Sequence, residues 1–213
     1  MRKRIAYLSG LAAGLLVAGA VHAADGSWGP GADDAAFQAM LKSGFREAGI
    51  AKLSRLEQDA TQAFCSDPKF AESKEAAGKR AEIEAANLAS IKWPSDGKFL
   101  GDFKEGEKIA QSGRGLTSTD KADQVNGGNC YNCHQISKTE ISYGTIGPSL
   151  TGYGKLKGNS EQAQRETWSK IWNSKSVNAC SNMPRGGHMG ILTEQQVKDL
   201  VALLLDPDSP VNK

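Results

Sequence analysis

The chain has 213 residues, 26 Lys or Arg against 24 Asp or Glu, and 39% hydrophobic residues. That is enough apolar material for one medium domain, or a small domain with a substantial extension, and it excludes disorder throughout. A charge balance this close to neutral excludes a basic tract built for nucleic acid or membrane phosphates.

Arg2-Lys3-Arg4 precedes an apolar stretch over 5–21, and Val21-His22-Ala23 places small residues where signal peptidase needs them. The pattern predicts a secretory signal, residues 1–23, cleaved after about Ala23; it is short and rich in Gly and Ala, which argues against a stable membrane span. Cleavage removes three of the 26 basic residues and none of the 24 acidic ones, leaving a net charge of about −1. The expected location is the periplasm, an oxidising compartment in which unpaired thiols find partners. Cys65, Cys130, Cys133 and Cys180 all lie beyond the cut.

Residues 24–97 read as a helical N-terminal extension. Phe37, Met40, Leu41 and Phe45 form one apolar stripe at helical spacing, and Leu53, Leu56, Ala60 and Phe64 form a second. Both are expected to pack inward. Asp67-Pro68 breaks the second helix, and a charged, Ala-rich segment over 71–92 then runs as a solvated helix to Trp93-Pro94.

From residue 98 the pattern changes. Asp102-Phe103-Lys104-Glu105 has the form of a capping box and predicts a helix that buries Phe103, Gly106, Ile109 and Ala110 and ends by Gly113 to Gly115. A helix over 162–174 carries Trp168, Ile171 and Trp172. Thr193-Glu194-Gln195-Gln196 repeats the capping signal before Val197, Leu200, Val201 and Leu204, and Asp206-Pro207 stops that last helix. No alternating run predicts a sheet, so the fold class is all-α.

The chemistry is concentrated in Cys130-Tyr131-Asn132-Cys133-His134. This C-x-x-C-H run reads as a c-type haem attachment site: each thiol adds to one haem vinyl, and the following His supplies the iron's proximal nitrogen. A structural zinc site needs a second ligand pair, and Cys180 with His188 is a poor one. A thioredoxin-like site needs a βαβ setting that the helical pattern lacks. The sequence contains one such motif, so one covalent haem c is expected.

Gly147-Pro148-Ser149-Leu150-Thr151-Gly152 resembles the G-P-x-L-x-G segment of class I cytochromes c. The resemblance implies a class I cytochrome c domain over 98–213, with the Pro148 carbonyl accepting the other ring N–H of His134. Met183-Pro184-Arg185-Gly186-Gly187 resembles that family's Met-Pro-x-aromatic-Gly loop, which implies Met183 as the second axial ligand; His188 and Met189 are the competing candidates. Gly186 stands where the loop usually has an aromatic residue, and leaves it more mobile.

More narrowly, the run from Cys180 to Arg185, the run from Gly190 to Val201 and the terminal Asp206-Pro207-Asp208-Ser209-Pro210-Val211-Asn212-Lys213 resemble SoxX, the mono-haem subunit family of SoxAX complexes in bacterial sulfur oxidation. The resemblance covers the C-terminal half closely and the extension loosely. It implies a SoxA-like cytochrome c as partner in a heterodimer, a sulfur-carrier protein whose cysteine is joined to thiosulfate with release of two electrons, and a small cytochrome c as acceptor. Substrate chemistry would belong to the partner subunit, with no catalytic residue in this chain. A free-standing periplasmic carrier and a haem enzyme with an open axial position, such as a peroxidase, are the readings from other classes.

Cys65 and Cys180 remain once the haem thiols are assigned. Joined, they close a loop from residue 65 to residue 180, worth about 4–5 kcal/mol on the chain-entropy model. Left free, Cys180 would be a reactive thiol or itself a haem ligand.

Overall fold

A computed structural model describes residues 35–67 and 73–213; the signal segment and its cleavage site, and Pro68 of the predicted helix break, lie outside the described residues. The described residues contain seven α-helices and no strand, apart from an isolated bridge between Ala48 and Ala51. The chain divides into two compact units, Met1–Gly44 and Phe45–Lys213.

Helix α1 (Ala35–Gly44) belongs to the first unit and has no buried residue. Among the described residues the expected inward packing of its apolar stripe is seen only in part: Phe37 and Leu41 are half-buried, while Met40 and Phe45 are both about half exposed. The second stripe is also not one helix. Leu53–Leu56 is a single 3₁₀ turn, and Asp59 starts a new helix, α2 (Ala60–Ser66), through a reciprocal capping box with Gln62. Leu53 and Leu56 stay exposed for that reason. Helix α2 stops at Ser66, beside Asp67, as the sequence predicts.

Helix α3 (Lys74–Ala89) is capped by Ser73 and largely solvated, with only Ala76 and Ile83 buried. After an extended stretch, helix α4 (Phe103–Gln111) begins where expected, but without the predicted capping box. Asp102 accepts from the Lys104 amide, Glu105 pairs with Lys108 at 2.6 Å, and the Asp102 amide donates to the buried Asp199 at 2.9 Å. A carboxylate from across the core has taken the donor that Glu105 was to satisfy.

Helix α6 (Glu161–Trp172) and helix α7 (Glu194–Leu205) match their sequence signals, and the Thr193–Gln196 capping box forms in full. The short helix α5 (Tyr153–Lys157) was not predicted. It fits between Gly152 and Gly158, both at φ +72, and is held by Asn212 accepting the Gly154 amide.

The core lies where α4 crosses α7 and α6 packs alongside. Gly106 marks the crossing: a Cβ there would stand 2.2 Å from the Asp199 carbonyl oxygen and 2.9 Å from the Leu203 side chain. Trp168 is fully buried, stacks on Trp172 at 5.4 Å, meets the Phe99 edge at 5.8 Å and donates to the Lys92 carbonyl. The core thus reaches back to residues 91–99, upstream of α4.

Lys198 of α7 has its stem buried and its ammonium between Asp96, at 2.7 Å, and Glu194, at 3.4 Å. The Lys198 bond holds Asp96 below the usual carboxylate range, and the Ser95 amide and hydroxyl do the same for Glu194. Groups depressed in the folded state add stability that is present above their unfolded pKa and is lost as pH falls through the folded one. Asp96→Asn with Glu194→Gln should therefore lower Tm at pH 7, and the gap from wild type should close as pH is taken below the carboxylate range in a thermal-melt series. Gly106→Ala should destabilise by roughly 1–2 kcal/mol in urea titration, because overpacking at the crossing exceeds the ~1 kcal/mol gained in helix propensity.

Candidate functional site

The loop that follows α4 returns to it before the motif begins. The Gly128 amide donates to the Ile109 carbonyl at 2.8 Å and the Asn129 amide to the Ser112 carbonyl at 2.9 Å. Asn129 then turns the chain at φ 51, a left-handed conformation that Asn tolerates, into the 3₁₀ turn Cys130–Asn132. Side chains three apart eclipse in such a turn, so Cys130 and Cys133 fall on one side. The amides of Cys133 and His134 both donate to the Cys130 carbonyl, which fixes the histidine immediately under that turn.

The two thiols are not joined to each other. Packing against the core pushes the Cys130 thiol up to about 12, with Cys133 and Glu107 adding to the rise. Tyr131 is buried and its hydroxyl donates to Glu107 at 2.8 Å while accepting the Ser137 amide, so burial and Glu107 push its pKa up as well. The other Glu107 oxygen, Oε2, is buried without a hydrogen-bond partner among the described residues. Sequence reading passed over Glu107. The signal was its place four residues after Phe103 and three before Ala110, a charged residue on the buried stripe of α4.

His134 Nδ1 lies 2.7 Å from the Pro148 carbonyl oxygen, a contact in which the ring N–H donates and Nε2 is left for a metal. The loop between them is closed by backbone bonds: the Gly144 amide to Tyr131, Gly147 to Cys133 and Leu150 to Gln135, all at 2.7–2.8 Å. Gly147 sits flat against the imidazole, where a Cβ would come within 2.2 Å of Cε1. On this loop Ile141 is 92% and Ile146 82% exposed, apolar surface beside the motif that calls for a cover. Two eclipsed thiols, an oriented imidazole and an apolar margin fit a haem held covalently by Cys130 and Cys133.

Met183 lies in the loop between α6 and α7 and is partly exposed. Its carbonyl accepts from Ser174 Oγ at 2.6 Å and its amide donates to Ser181 Oγ. The same loop is anchored to the end of α6 by the Gly186 amide on Ile171 and the His188 amide on Trp172. His188 Nδ1 stands 3.4 Å from Ser90 Oγ, and burial followed by the Arg185 charge lowers its pKa. Met189 is 58% exposed. Both methionines border a cavity of about 540 Å³, together with Lys175, Arg185 and the Cys65–Cys180 disulfide.

That disulfide is formed, with a Cα–Cα distance of 5.4 Å, and Cys180 is thus no free thiol. Asp59 and Arg185 form an ion pair nearby, at 2.5 Å, which sequence reading missed because the partners are far apart in the chain. Asn126 joins the loop before the motif to the Met183 loop: its amide donates to the Ile191 carbonyl, and its own carbonyl accepts from Gln196.

A cytochrome c family model matches residues 103–206. The chain is 38% identical over 159 residues to an uncharacterised lipoprotein of Aquifex aeolicus (strain VF5), covering 73% of each. A crystal structure of SoxXA from P. pantotrophus resembles it at a TM-score of 0.39 and 25% identity, over 56% of this chain and 90% of the other.

Gly147→Ala should displace the His134 ring and cut the yield of haem-loaded protein several-fold, read as haem absorbance per polypeptide. Gly78→Ala is the control, since it lies in α3 with open space around it and should leave the loading unchanged.

Proposed function

Because this chain belongs to the cytochrome c family, we propose that it is an exported, one-haem electron-transfer subunit of the SoxX kind, working beside a SoxA-like cytochrome. The observation that carries the electron-transfer part is the oriented His134, its Nδ1 on the Pro148 carbonyl, directly after the two cysteines. When bound, the haem supplies a one-electron iron couple. The protein's own work is positional. Cys130 and Cys133 would hold the group covalently, Pro148 fixes the His134 ring and raises its basicity, and Met183 would supply the further ligand. A thioether suits a high potential, which favours accepting electrons, and a filled second position keeps substrates off the metal.

Export is supported by the signal-like first 23 residues and by the lipoprotein description of the Aquifex relative; no helix among the described residues is long and apolar enough to cross a membrane. The sulfur-oxidising role rests on the SoxX-like runs around Met183 and at the C-terminus. In that role the domain over 98–213 receives two electrons, one at a time, as the partner joins thiosulfate to a carrier cysteine, and passes them to a small cytochrome c.

Two measurements test this. Met183→Ala should abolish the weak far-red sulfur-to-iron band and open the reduced protein to carbon monoxide; an unchanged spectrum removes Met183 from the iron. A pull-down from sulfur-grown cell extract should bring a larger c-type cytochrome with the chain, whereas recovery of the chain alone favours a free-standing carrier.

A further inference from the structure

The loop carrying Met183 is gripped from two sides. The inner grip comes from the core: Ser174 holds the Met183 carbonyl, and the end of α6 takes the amides of Gly186 and His188. The outer grip comes from the short segment around α2. Cys65, near its end, is bonded to Cys180, three residues before Met183, and Asp59, at its start, is paired with Arg185, two residues after it. The outer ties therefore bracket Met183 on both sides in sequence.

Asp59 has two tasks at once. One of its oxygens accepts the Gln62 amide at 2.8 Å, completing the box that nucleates α2, and the other meets Arg185. The Arg185 side chain is only 11% exposed, and the buried Lys175 stands close enough to add a like charge. Two cations with little access to water need a facing carboxylate, and Asp59 is that group for both. Removing its charge would leave the guanidinium buried beside a second cation, a state the loop can relieve by swinging Arg185, and Met183 with it, into solvent. The space for this is present, because α2 and the loop both line the 540 Å³ cavity that Met183 borders.

We propose that the segment from Asp59 to Cys65 is an outer clamp on the second axial ligand, with Asp59 and Cys65 as positioning residues that keep the Met183 thioether on the haem iron. The inference rests on the reading of Met183 as that ligand. The clamp acts from outside the stretch that matches the cytochrome c family, residues 103–206, so it is an addition of this chain's N-terminal part to a site otherwise built from the C-terminal part.

The test uses the full-length haem-loaded protein, with the far-red band, carbon monoxide binding to the reduced form and far-UV circular dichroism read together. Asp59→Asn, and Cys65→Ser with Cys180→Ser, should each lose at least half of the band and bind carbon monoxide at least tenfold faster while retaining helical dichroism. Asp59→Glu, which keeps the charge, should behave as wild type. Met183→Ala is the reference for complete loss. If it loses the band while the clamp variants keep it and still exclude carbon monoxide, the clamp is wrong and the ligand assignment stands. If Met183→Ala keeps the band, the ligand assignment itself has failed. Should a variant not accumulate, phosphine reduction of the wild-type disulfide gives the same reading, since thioether links to haem resist it: two newly alkylatable thiols with an undiminished band would overturn the proposal.

Discussion

The close crossing of α4 over α7 is the constraint from which the rest of the site follows. Gly106 lets the two backbones touch at Asp199 and Leu203, and this sets where the C-terminal end of α4 points. The loop before the motif hangs from that end, through Ile109 and Ser112, so the crossing fixes Cys130 in space. The other helix of the pair, α7, holds the last residues: Asn212 donates to the Leu204 carbonyl and accepts from the α5 backbone, and the Gly152 amide donates to Val211. Since Gly152 follows Pro148 by four residues, the proline that orients His134 is tied to α7 as well. Both ends of the histidine's support thus converge on one helix pair.

The two sides of the proposed iron site inherit their order differently. The His134 side is held by a closed set of backbone bonds over 131–150, and Tyr131 and Ile136 carry it into the core. The Met183 side is a loop on which Met183 and Met189 are exposed, held along its length through Cys180, the Met183 carbonyl, Arg185, Gly186 and His188. Both loops carry exposed residues, Ile141 and Ile146 on the first and Met183 and Met189 on the second, and segments with exposed backbone bonds open locally at small cost. An electron carrier needs the same ligands before and after each transfer, so restraint on either loop bears on that function.

The order of helices around the motif was legible because each rests on local chemistry: a capping box and an i, i+3, i+4, i+7 stripe for α7, paired tryptophans for α6, and C-x-x-C-H for the haem. What was not legible involved partners far off in the chain. Asp102 and Glu105 have the right spacing for a capping box, yet Asp199, 97 residues on, takes the amide. Leu53, Leu56, Ala60 and Phe64 have helical spacing, yet Asp59 interrupts with a better local start signal. The apolar stripe of α1 has the right period and no buried residue. Spacing reports what a segment can present, and only the tertiary structure determines whether anything meets it.

The placement of α2 shows why a covalent bond belongs at this point. The helix has seven residues, none of them fully buried, and is too short to persist alone in water; its half-buried Phe64 lines a small apolar pocket with Ala76 of α3. Discrete ties hold it, and the partly buried Asp59–Arg185 ion pair is one of them. The disulfide, spanning 115 residues, supplies a restraint that does not depend on apolar contact and that an oxidising compartment maintains. With the ends held, Arg55 adds bonds to the Leu116 and Ile50 carbonyls, at 2.7 and 3.0 Å, which fasten residues 50–55 to the loop ahead of the haem motif. The segment before the cytochrome domain is therefore laid across both loops that lead to the proposed axial ligands, by polar and covalent links. It can stiffen the site without burying it, and the apolar edge around Ile141 and Ile146 stays open for whatever covers it.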